Sequence, residues 1–356
     1  MNYFRTAVKE MQGYVPGYQP VGDEYLKLNT NENPYPPAPG VFSVLRSIDP
    51  GLLRLYPDPV LNSLRERIAS NFGVARENVL IGNGSDEVLT IVTRSFVEPG
   101  ETVVFPEPSY SLYPVLARIQ GGVPLGVPLG PDFGLPDEFV SVPARLKFLA
   151  FPNSPTGTAY PLELVERVLK ESSGVVLIDE AYADFADENC FGLLARHPNL
   201  IILRTFSKSY GLAGLRVGFA LASEELIAGM LKVKDSYNVN RLSAAIAEAA
   251  LSDQDYLRRT VAAIRRERGR LSRELEALGF EVFPSSSNFV LVRAGTPASA
   301  RRIFEELRER RILVRYFAQP RLDDCLRITV GTPEAMDRLI GALREIAGAH
   351  PGGEEK

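Results

Sequence analysis

The residues best suited to chemistry lie within 205–219, where a lysine stands beside hydroxyl side chains and an arginine. An apolar run that is typical of a buried strand precedes this segment. Because ligands of open α/β sheets bind at the carboxyl ends of strands, we expect Lys208 to face a ligand. Its amine can form a Schiff base with a carbonyl group. Arg216, with Ser207 and Thr205, could bind a phosphate through charge-assisted hydrogen bonds. A lone lysine is more often solvated, so other segments must decide between these interpretations.

Three more polar residues interrupt or end apolar runs. Asp179 closes the run 175–179, where a buried carboxylate needs a positive partner, although it could also cap the next helix. Tyr110 follows the strand predicted at 102–105 and could stack on a flat ring or lie half-buried in a loop. Arg327 interrupts an apolar strand, so its long stem either reaches a pocket or pairs with a structural acid.

A glycine turn at 82–84 leads into a helical pattern that begins with Ser85, Asp86 and Glu87. We expect Ser85 or Asp86 to cap this helix. A helix start presents free N–H groups and the positive end of the helix dipole, which together attract a phosphate. Every βα unit has such a turn, so this motif is weak evidence by itself.

Composition narrows the class of protein. With 356 residues, 45% of them hydrophobic, the chain can form about two globular domains. A net charge of −4 implies no general attraction to nucleic acid. The arginine-rich face predicted at 254–278 is interleaved with acids and is interpreted as a solvated helix face.

The cysteines and histidines exclude further classes. Cys190 and Cys325 are too few for a disulfide framework and fit a reducing compartment. The two histidines, His197 and His350, have no partner at metal-ligand spacing, so we expect neither a zinc site nor a histidine triad. The N-terminal residues lack a signal-peptide core and no apolar run is long enough to span a membrane, so we expect a cytoplasmic protein.

Strand and helix patterns alternate from about residue 78 to residue 251 and predict an α/β sheet covered by helices. We therefore expect an N-terminal arm (1–40), a large domain (41–250), a small C-terminal α+β domain (251–350) and a disordered tail (351–356). Residues 28–37 carry too many prolines for a helix. The arm either packs over a surface or closes an active site.

Several of these segments resemble the fold-type-I aminotransferases that depend on pyridoxal 5′-phosphate. The similarity is carried by Asn153 with Pro155-Thr156-Gly157, Asp179 with Tyr182, Ser207-Lys208, and Arg216. Within this group the chain is similar to the histidinol-phosphate aminotransferase family. The matching stretches are residues 28–37, 56–58, 82–87, 179–182, 205–216 and 326–332. The related threonine-phosphate decarboxylases of cobalamin synthesis share several of them.

The resemblance implies a large domain with a mixed, mostly parallel sheet and assigns roles around the cofactor. Lys208 would hold pyridoxal 5′-phosphate covalently and later shuttle a proton, while Asp179 would pair with the pyridine nitrogen. Tyr110 would stack on the ring. Asn153 and Tyr182 would hydrogen-bond the ring oxygen O3′, although a serine rather than an asparagine precedes the proline of this motif.

The resemblance also assigns residues to the two anionic groups. The cofactor phosphate would be held by the backbone groups of Ser85, Asp86 and Glu87, together with Thr205, Ser207 and Arg216. Tyr56 would reach that phosphate from a second subunit, which implies a homodimer. Arg327 would bind the glutamate carboxylate and the substrate phosphate in turn, since a guanidinium fits either anion. Lesser candidates on the substrate side are Arg315, Tyr18, Asn29 and Asn238.

The implied reaction is transamination between histidinol phosphate and 2-oxoglutarate, giving imidazole-acetol phosphate and glutamate in histidine biosynthesis. The alternatives are an aromatic or broad-specificity aminotransferase, or a threonine-phosphate decarboxylase. A pyridoxal-phosphate-binding protein without turnover is a further alternative, which intact Lys208, Asp179 and Arg327 argue against.

Overall fold

The computed structural model describes residues 3–22 and 24–348. His350 and the tail predicted at 351–356 lie outside the described residues. The helices are α1 (Thr6–Glu10), α2 (Pro39–Ser47), α3 (Asn62–Phe72), α4 (Ser85–Phe96), α5 (Leu112–Gln120), α6 (Asp137–Ser141), α7 (Leu162–Glu171), α8 (Glu224–Leu231), α9 (Arg241–Leu251), α10 (Gln254–Ala277), α11 (Pro297–Glu309) and α12 (Pro333–Gly348). The strands are β1 (Leu26–Lys27), β2 (Val79–Gly82), β3 (Thr102–Glu107), β4 (Val123–Pro128), β5 (Leu146–Ala150), β6 (Val175–Asp179), β7 (Leu200–Thr205), β8 (Gly218–Ala222), β9 (Glu281–Val282), β10 (Phe289–Arg293), β11 (Ile312–Leu313), β12 (Arg315–Tyr316) and β13 (Cys325–Thr329).

A seven-stranded sheet in the order β2-β8-β7-β6-β5-β3-β4 forms the centre of the molecule. Strands β3 to β7 are parallel, and β8 runs antiparallel to both of its neighbours. The central strands β5 to β8 are apolar and almost entirely buried, as strands covered by helices on both faces must be. The predicted α/β sheet is therefore confirmed.

The reversed strand β8 has a direct consequence for the site. Strands β2, β3, β5, β6 and β7 all end at one edge of the sheet, whereas β8 begins there, with Gly218 paired to Gly82 and Thr205. The arginine two residues before β8 is thereby brought to the same edge as the residues that follow the parallel strands. Gly218 permits a close approach at this point, because a Cβ there would lie 2.5 Å from the backbone nitrogen of Ser85.

The C-terminal part contains an antiparallel sheet in the order β12-β13-β10-β9, packed against α10, α11 and α12. The short strand β1 pairs in parallel with β11, so the N-terminal segment joins this smaller unit. One apolar cluster lies mainly among these elements, and two others lie on the faces of the large sheet. The domain limits at residues 40, 250 and 350 stay a prediction.

The structure differs from the sequence-based expectations at one helix cap. Neither Ser85 nor Asp86 caps α4, because Ser85 is already its first residue and Gly84 precedes it with φ of 83° and no capping side chain. A Cβ at Gly84 would lie 2.5 Å from Arg216 Nη2, so glycine serves both the turn and the approach of the guanidinium. Among the described residues, no helix combines the length and apolar character that a bilayer crossing needs.

Candidate active site

A cavity of about 520 Å³ opens at the edge where the parallel strands end. This volume suits a small organic ligand. The predicted site residues that line it are Asn29, Ser85, Asp86, Tyr110, Asp179, Tyr182, Thr205, Ser207, Lys208, Arg216, Arg315 and Arg327. Residues after β2, β3, β6 and β7 thus converge, together with side chains from the smaller unit and the N-terminal arm. Because the arm lines the cavity, it is part of the site and not merely a covering of the surface.

Asp179 is a buried carboxylate at the end of β6. Its Oδ2 accepts a hydrogen bond from the Tyr113 hydroxyl at 2.8 Å, and its Oδ1 accepts one from the Ala181 backbone N–H at 3.1 Å. Burial raises the pKa of Asp179 from 3.8 to about 6, against these two hydrogen bonds, which lower it. No ion pair involves Asp179 within the part of the chain that the structure describes. The carboxylate therefore faces the cavity without the cationic partner that a buried charge requires.

Lys208 follows β7 and faces the same cavity. Its Nζ donates a hydrogen bond to the backbone oxygen of Thr30 at 3.2 Å and lies 5.6 Å from the centroid of the Tyr182 ring. Tyr182 itself accepts a hydrogen bond from Asn31 Nδ2 at 2.9 Å. The Lys208 amine and the Tyr182 phenol are thus adjacent, and each forms a hydrogen bond with a residue of the N-terminal arm.

A cluster of hydrogen-bond donors lines the cavity around the start of α4. Arg216 Nη2 is 3.1 Å from Asp86 Oδ2, and its Nη1 donates to Ser207 Oγ at 3.5 Å. Thr205 Oγ1 accepts the Ser207 backbone N–H at 3.1 Å. The first N–H groups of a helix lack acceptors within the helix, so the α4 start adds free donors beside the guanidinium. These groups suit a phosphate.

Tyr110 forms one wall of the cavity. Its hydroxyl donates to Asp86 Oδ1 at 3.0 Å, and its ring packs edge-on against Tyr113 and Tyr14 with centroid distances of 5.6 Å and 5.7 Å. Burial, followed by the Asp86 charge, raises the pKa of the Tyr110 phenol well above its ordinary value, so it remains a hydrogen-bond donor. The ring orientation is therefore fixed from two sides.

Arg327 projects from β13 into the cavity. Its Nη2 donates to the backbone oxygen of Asn29 at 2.9 Å and its Nη1 to Ser154 Oγ at 3.3 Å, while Nε is buried without a partner. The guanidinium lies over the Phe289 and Phe317 rings at 5.2 Å and 5.5 Å. Burial lowers the pKa of Arg327. None of the ion pairs found in the described chain includes it, so this cation can accept an anion from the cavity.

The turn after β5 brings Ser154, and not Asn153, to the cavity. Asn153 is fully buried but does not line the cavity, because its amide is bonded to Ser109 Oγ at 2.7 Å, Pro108 O at 3.0 Å and Thr156 Oγ1 at 2.9 Å. Ser154 lines the cavity instead. The contact expected between Asn153 and the cofactor ring stays a prediction, and Ser154 is the side chain of this turn that faces the cavity.

Four other candidates do not line the cavity. Asn238 Nδ2 donates a hydrogen bond to Glu87 Oε2 at 2.6 Å, so the side chains of Asn238 and Glu87 bond each other beside the first turn of α4. Tyr18 is 54% exposed, and its backbone oxygen accepts from Asn29 Nδ2 at 2.8 Å. Tyr56 is 77% exposed and stacks on Tyr237 with a centroid distance of 4.4 Å.

Arg315 lines the cavity and donates to the backbone oxygens of Pro16 and Val15 at 3.5 Å and 3.4 Å. Asn29 is 3% exposed, and its Oδ1 has no partner. Arg315 thus bonds the smaller unit to the N-terminal arm. Asn29 does the same from the arm, because its backbone oxygen accepts a hydrogen bond from Arg327.

Several residues that line the cavity are not predicted from the sequence. They are Tyr14, Thr30, Asn31, Glu32, Tyr113 and Phe317. Tyr113 could have been found, because it follows Tyr110 by three positions and so lies close to it at the start of α5. The arm residues carry no such signal, since nothing in a proline-rich segment predicts which side chains turn inward. No cluster of three or more His, Cys, Asp or Glu that suits a metal ion occurs in residues 3–22 and 24–348.

Comparison with known proteins agrees with this geometry. The family model for class I and II aminotransferases matches residues 23–343. The histidinol-phosphate aminotransferase of Rippkaea orientalis is 46% identical over 346 residues, which cover 97% of this chain and 99% of that protein. The similar enzyme of Geobacter sulfurreducens is 43% identical over 353 residues, covering 96% of this chain and 99% of its own.

A solved structure is similarly close. The histidinol-phosphate aminotransferase of Sinorhizobium meliloti, in complex with pyridoxal-5′-phosphate, superposes with a TM-score of 0.88 at 30% identity and covers 98% of each chain. The fold-type-I prediction is thereby confirmed. Because the identity to these relatives extends over nearly the whole chain, the protein belongs to the histidinol-phosphate aminotransferase family of the class I and II aminotransferases.

Proposed function

We propose that this chain transfers an amino group between histidinol phosphate and 2-oxoglutarate, giving imidazole-acetol phosphate and glutamate in histidine biosynthesis. The observation that carries this proposal is Arg327, a half-buried guanidinium that lines the cavity and has no acidic partner among the described residues. The reaction needs one cation that accepts a carboxylate in one half-reaction and a phosphate ester in the other. A guanidinium fork fits both anions.

The residues present fit the cofactor pyridoxal 5′-phosphate. Asp179 is a buried carboxylate that lacks a cation, Lys208 Nζ faces the cavity, and Arg216 lies with Ser207 at a helix start. When bound, this cofactor supplies a carbonyl that accepts an amino group and a pyridinium ring that withdraws electrons from the substrate. We assign Asp179 to the pyridine nitrogen, and Arg216, Ser207 and the start of α4 to the phosphate.

The remaining groups orient the reactants and move the proton. Lys208 Nζ is the titratable group beside Tyr182 and takes the proton from the substrate carbon that bears the amine. Tyr182 and Ser154 line the cavity and would supply the hydroxyl groups that hydrogen-bond the ring oxygen, because the amide of Asn153 does not line it. Tyr110 packs on the ring face. Asn29 Oδ1, buried and without a partner, can accept a hydrogen bond from the substrate.

The two half-reactions of wild-type protein and of Arg327→Lys test this function. We expect wild-type protein to react with glutamate and with histidinol phosphate. Lysine keeps the charge but loses the guanidinium fork, so the variant should require about 10- to 100-fold more of each substrate for half-saturation. The visible absorbance of the protein-bound cofactor reports each half-reaction separately.

The matched control is Arg301→Lys, since Arg301 also lies over an aromatic ring of the smaller unit, that of Tyr316, but is exposed and outside the cavity. It should leave both reactions unchanged. Preferential reaction with phenylalanine or with phosphate-free histidinol would favour a broad-specificity aminotransferase. Release of carbon dioxide from threonine phosphate would favour the decarboxylase. Loss of only one half-reaction in Arg327→Lys would refute the dual role.

We further propose a cytoplasmic homodimer in which Tyr56 completes the partner's phosphate site. Tyr56 is exposed and does not line the cavity of its own chain, while Leu53, Leu55 and Phe42 are also exposed. Arg241 Nη2 donates a hydrogen bond to the Tyr56 backbone oxygen at 2.8 Å. The two cysteines are buried free thiols, which fits a reducing compartment.

Mixing Tyr56→Phe protein with Lys208→Ala protein tests the shared site. Each mixed dimer should contain one site with an intact Lys208 from one chain and an intact Tyr56 from the other. We expect the mixture to exceed the summed activity of the separate variants after subunit exchange at limiting cofactor. A mixture that equals that sum, or a monomeric mass in solution, would contradict the arrangement.

A further inference from the structure

The side chain of Asn31 joins three parts of the molecule. It belongs to the N-terminal arm, is 1% exposed and lines the cavity. Its backbone has φ of 57°, in the left-handed region that asparagine tolerates better than most residues. Such a conformation in a buried residue requires strong local support.

That support comes from the smaller unit. The Asn31 backbone N–H donates to Thr329 Oγ1 at 3.0 Å, and Asn288 Nδ2 donates to the Asn31 backbone oxygen at 2.9 Å. The Thr329 hydroxyl in turn donates to Asn31 Oδ1 at 3.1 Å. Because the Thr329 hydroxyl oxygen accepts the Asn31 backbone N–H, its own proton is free to donate to the Asn31 side chain. That proton needs an acceptor, so the side-chain atom nearest to Thr329 is the amide oxygen of Asn31. The orientation of the Asn31 amide is therefore determined by Thr329.

The other end of the same amide reaches the larger unit. Asn31 Nδ2 donates to the Tyr182 hydroxyl oxygen at 2.9 Å. An amide nitrogen cannot accept a hydrogen bond, so the phenol proton of Tyr182 must point away from Asn31. Tyr182 lines the cavity, and within the described residues its hydroxyl has no second partner. The free direction for its proton is the cavity.

We propose that Asn31 is a positioning residue that directs the Tyr182 hydroxyl proton toward the ring oxygen of the bound cofactor. The inference rests on the proposed role of Tyr182. It adds that the donor direction of this phenol is set from the smaller unit, through Thr329 and Asn31. A hydrogen bond donated to the ring oxygen favours its deprotonated form, and this lowers the pH midpoint at which the visible band of the loaded protein changes.

The test is the pH midpoint of the visible band in Asn31→Asp, Tyr182→Phe and the double variant. Aspartate has the size of asparagine but presents an acceptor to Tyr182, so it takes the phenol proton away from the cavity. We expect Asn31→Asp to raise the midpoint by about one pH unit, the size expected for a lost hydrogen bond to a charged group. Tyr182→Phe should raise it at least as much.

The double variant separates this mechanism from a simple charge effect. If Asn31 acts through the phenol, Asn31→Asp should add no further shift in the Tyr182→Phe background. An equal shift with and without Tyr182 would mean that the new charge acts directly and would overturn the inference while leaving the proposed function intact. No shift in Tyr182→Phe itself would overturn both the inference and the proposed role of Tyr182, while the substrate tests of the proposed function would stand.

Two further variants keep the test decisive. Asn288→Ala removes a hydrogen bond to the Asn31 backbone but leaves the bond to Tyr182, so it should not move the midpoint. If Asn31→Asp does not fold, Asn31→Gly replaces it, since glycine adopts the positive φ freely and still removes the amide donor. It should raise the midpoint by less than a full unit, and only where Tyr182 is present. An unchanged midpoint in Asn31→Gly would overturn the inference.

Discussion

Replacing Lys208 with alanine should abolish turnover and remove the visible absorbance band of the loaded protein. The side chain is the amine that faces the cavity beside Tyr182, at the end of β7. Without it there is no covalent attachment and no group to move the proton from the substrate carbon. Positioned proton transfer contributes roughly 10²- to 10⁴-fold, so we expect activity to fall by at least about a thousandfold. Steady-state kinetics and the absorbance spectrum check both parts.

Lys232 provides the control for this prediction. It lies exposed at the end of α8, outside the cavity, so Lys232→Ala should retain the band and the activity. If the visible absorbance band survived in Lys208→Ala, a lysine other than Lys208 would hold the cofactor. That result would remove the assignment of Lys208 and with it the proposed chemistry.

The second large effect is expected for Asp179→Asn. Asparagine preserves the shape of the side chain but removes the charge that would face the pyridine nitrogen. Losing one partner of a buried ion pair costs about 3–5 kcal/mol, so we expect turnover to fall by about a hundredfold or more. The cofactor should still attach to Lys208, and the visible band should persist. The control is Asp187→Asn, because the side chain of Asp187 is 81% exposed.

The same variant gives a pH prediction for the protein without cofactor. Burial raises the pKa of Asp179 from 3.8 to about 6, so between these values the folded chain binds more protons than the unfolded chain. Its stability should therefore fall as pH rises through this range, by about 3 kcal/mol relative to Asp179→Asn. Adding the cofactor should reduce this fall, because the pyridinium would pair with the carboxylate.

Denaturant unfolding of both proteins at several pH values measures this difference. The unfolding free energy of wild-type minus variant should decrease from pH 4 to pH 6.5 and then level off. A difference that stays constant with pH would mean that Asp179 is not desolvated in the folded chain. Such a result would weaken the assignment of this carboxylate to the pyridine nitrogen.

Much of the site could be predicted from the sequence, because the side chains suited to chemistry follow directly after predicted strands. Tyr110, Asp179 and Lys208 each follow an apolar run, and the parallel strands predicted from those runs must end at one edge. The strand at 175–179 follows equally from its local apolar pattern. The sequence did not predict the role of Gly84 at the start of α4. The preference for a capping side chain favoured Ser85 or Asp86, and it takes no account of the close approach of the Arg216 guanidinium.

The sequence by itself thus determined the α/β class, the family and the residues that end the strands, because these depend on local periodicity and motif. The tertiary structure decided which of two neighbouring side chains lines the cavity, since Ser154 does and Asn153 does not. It also decided that β8 runs antiparallel and delivers Arg216, and that Asn31 connects Thr329 to Tyr182. These contacts join residues far apart in the chain, and their geometry depends on strand register and domain packing, which no local pattern specifies.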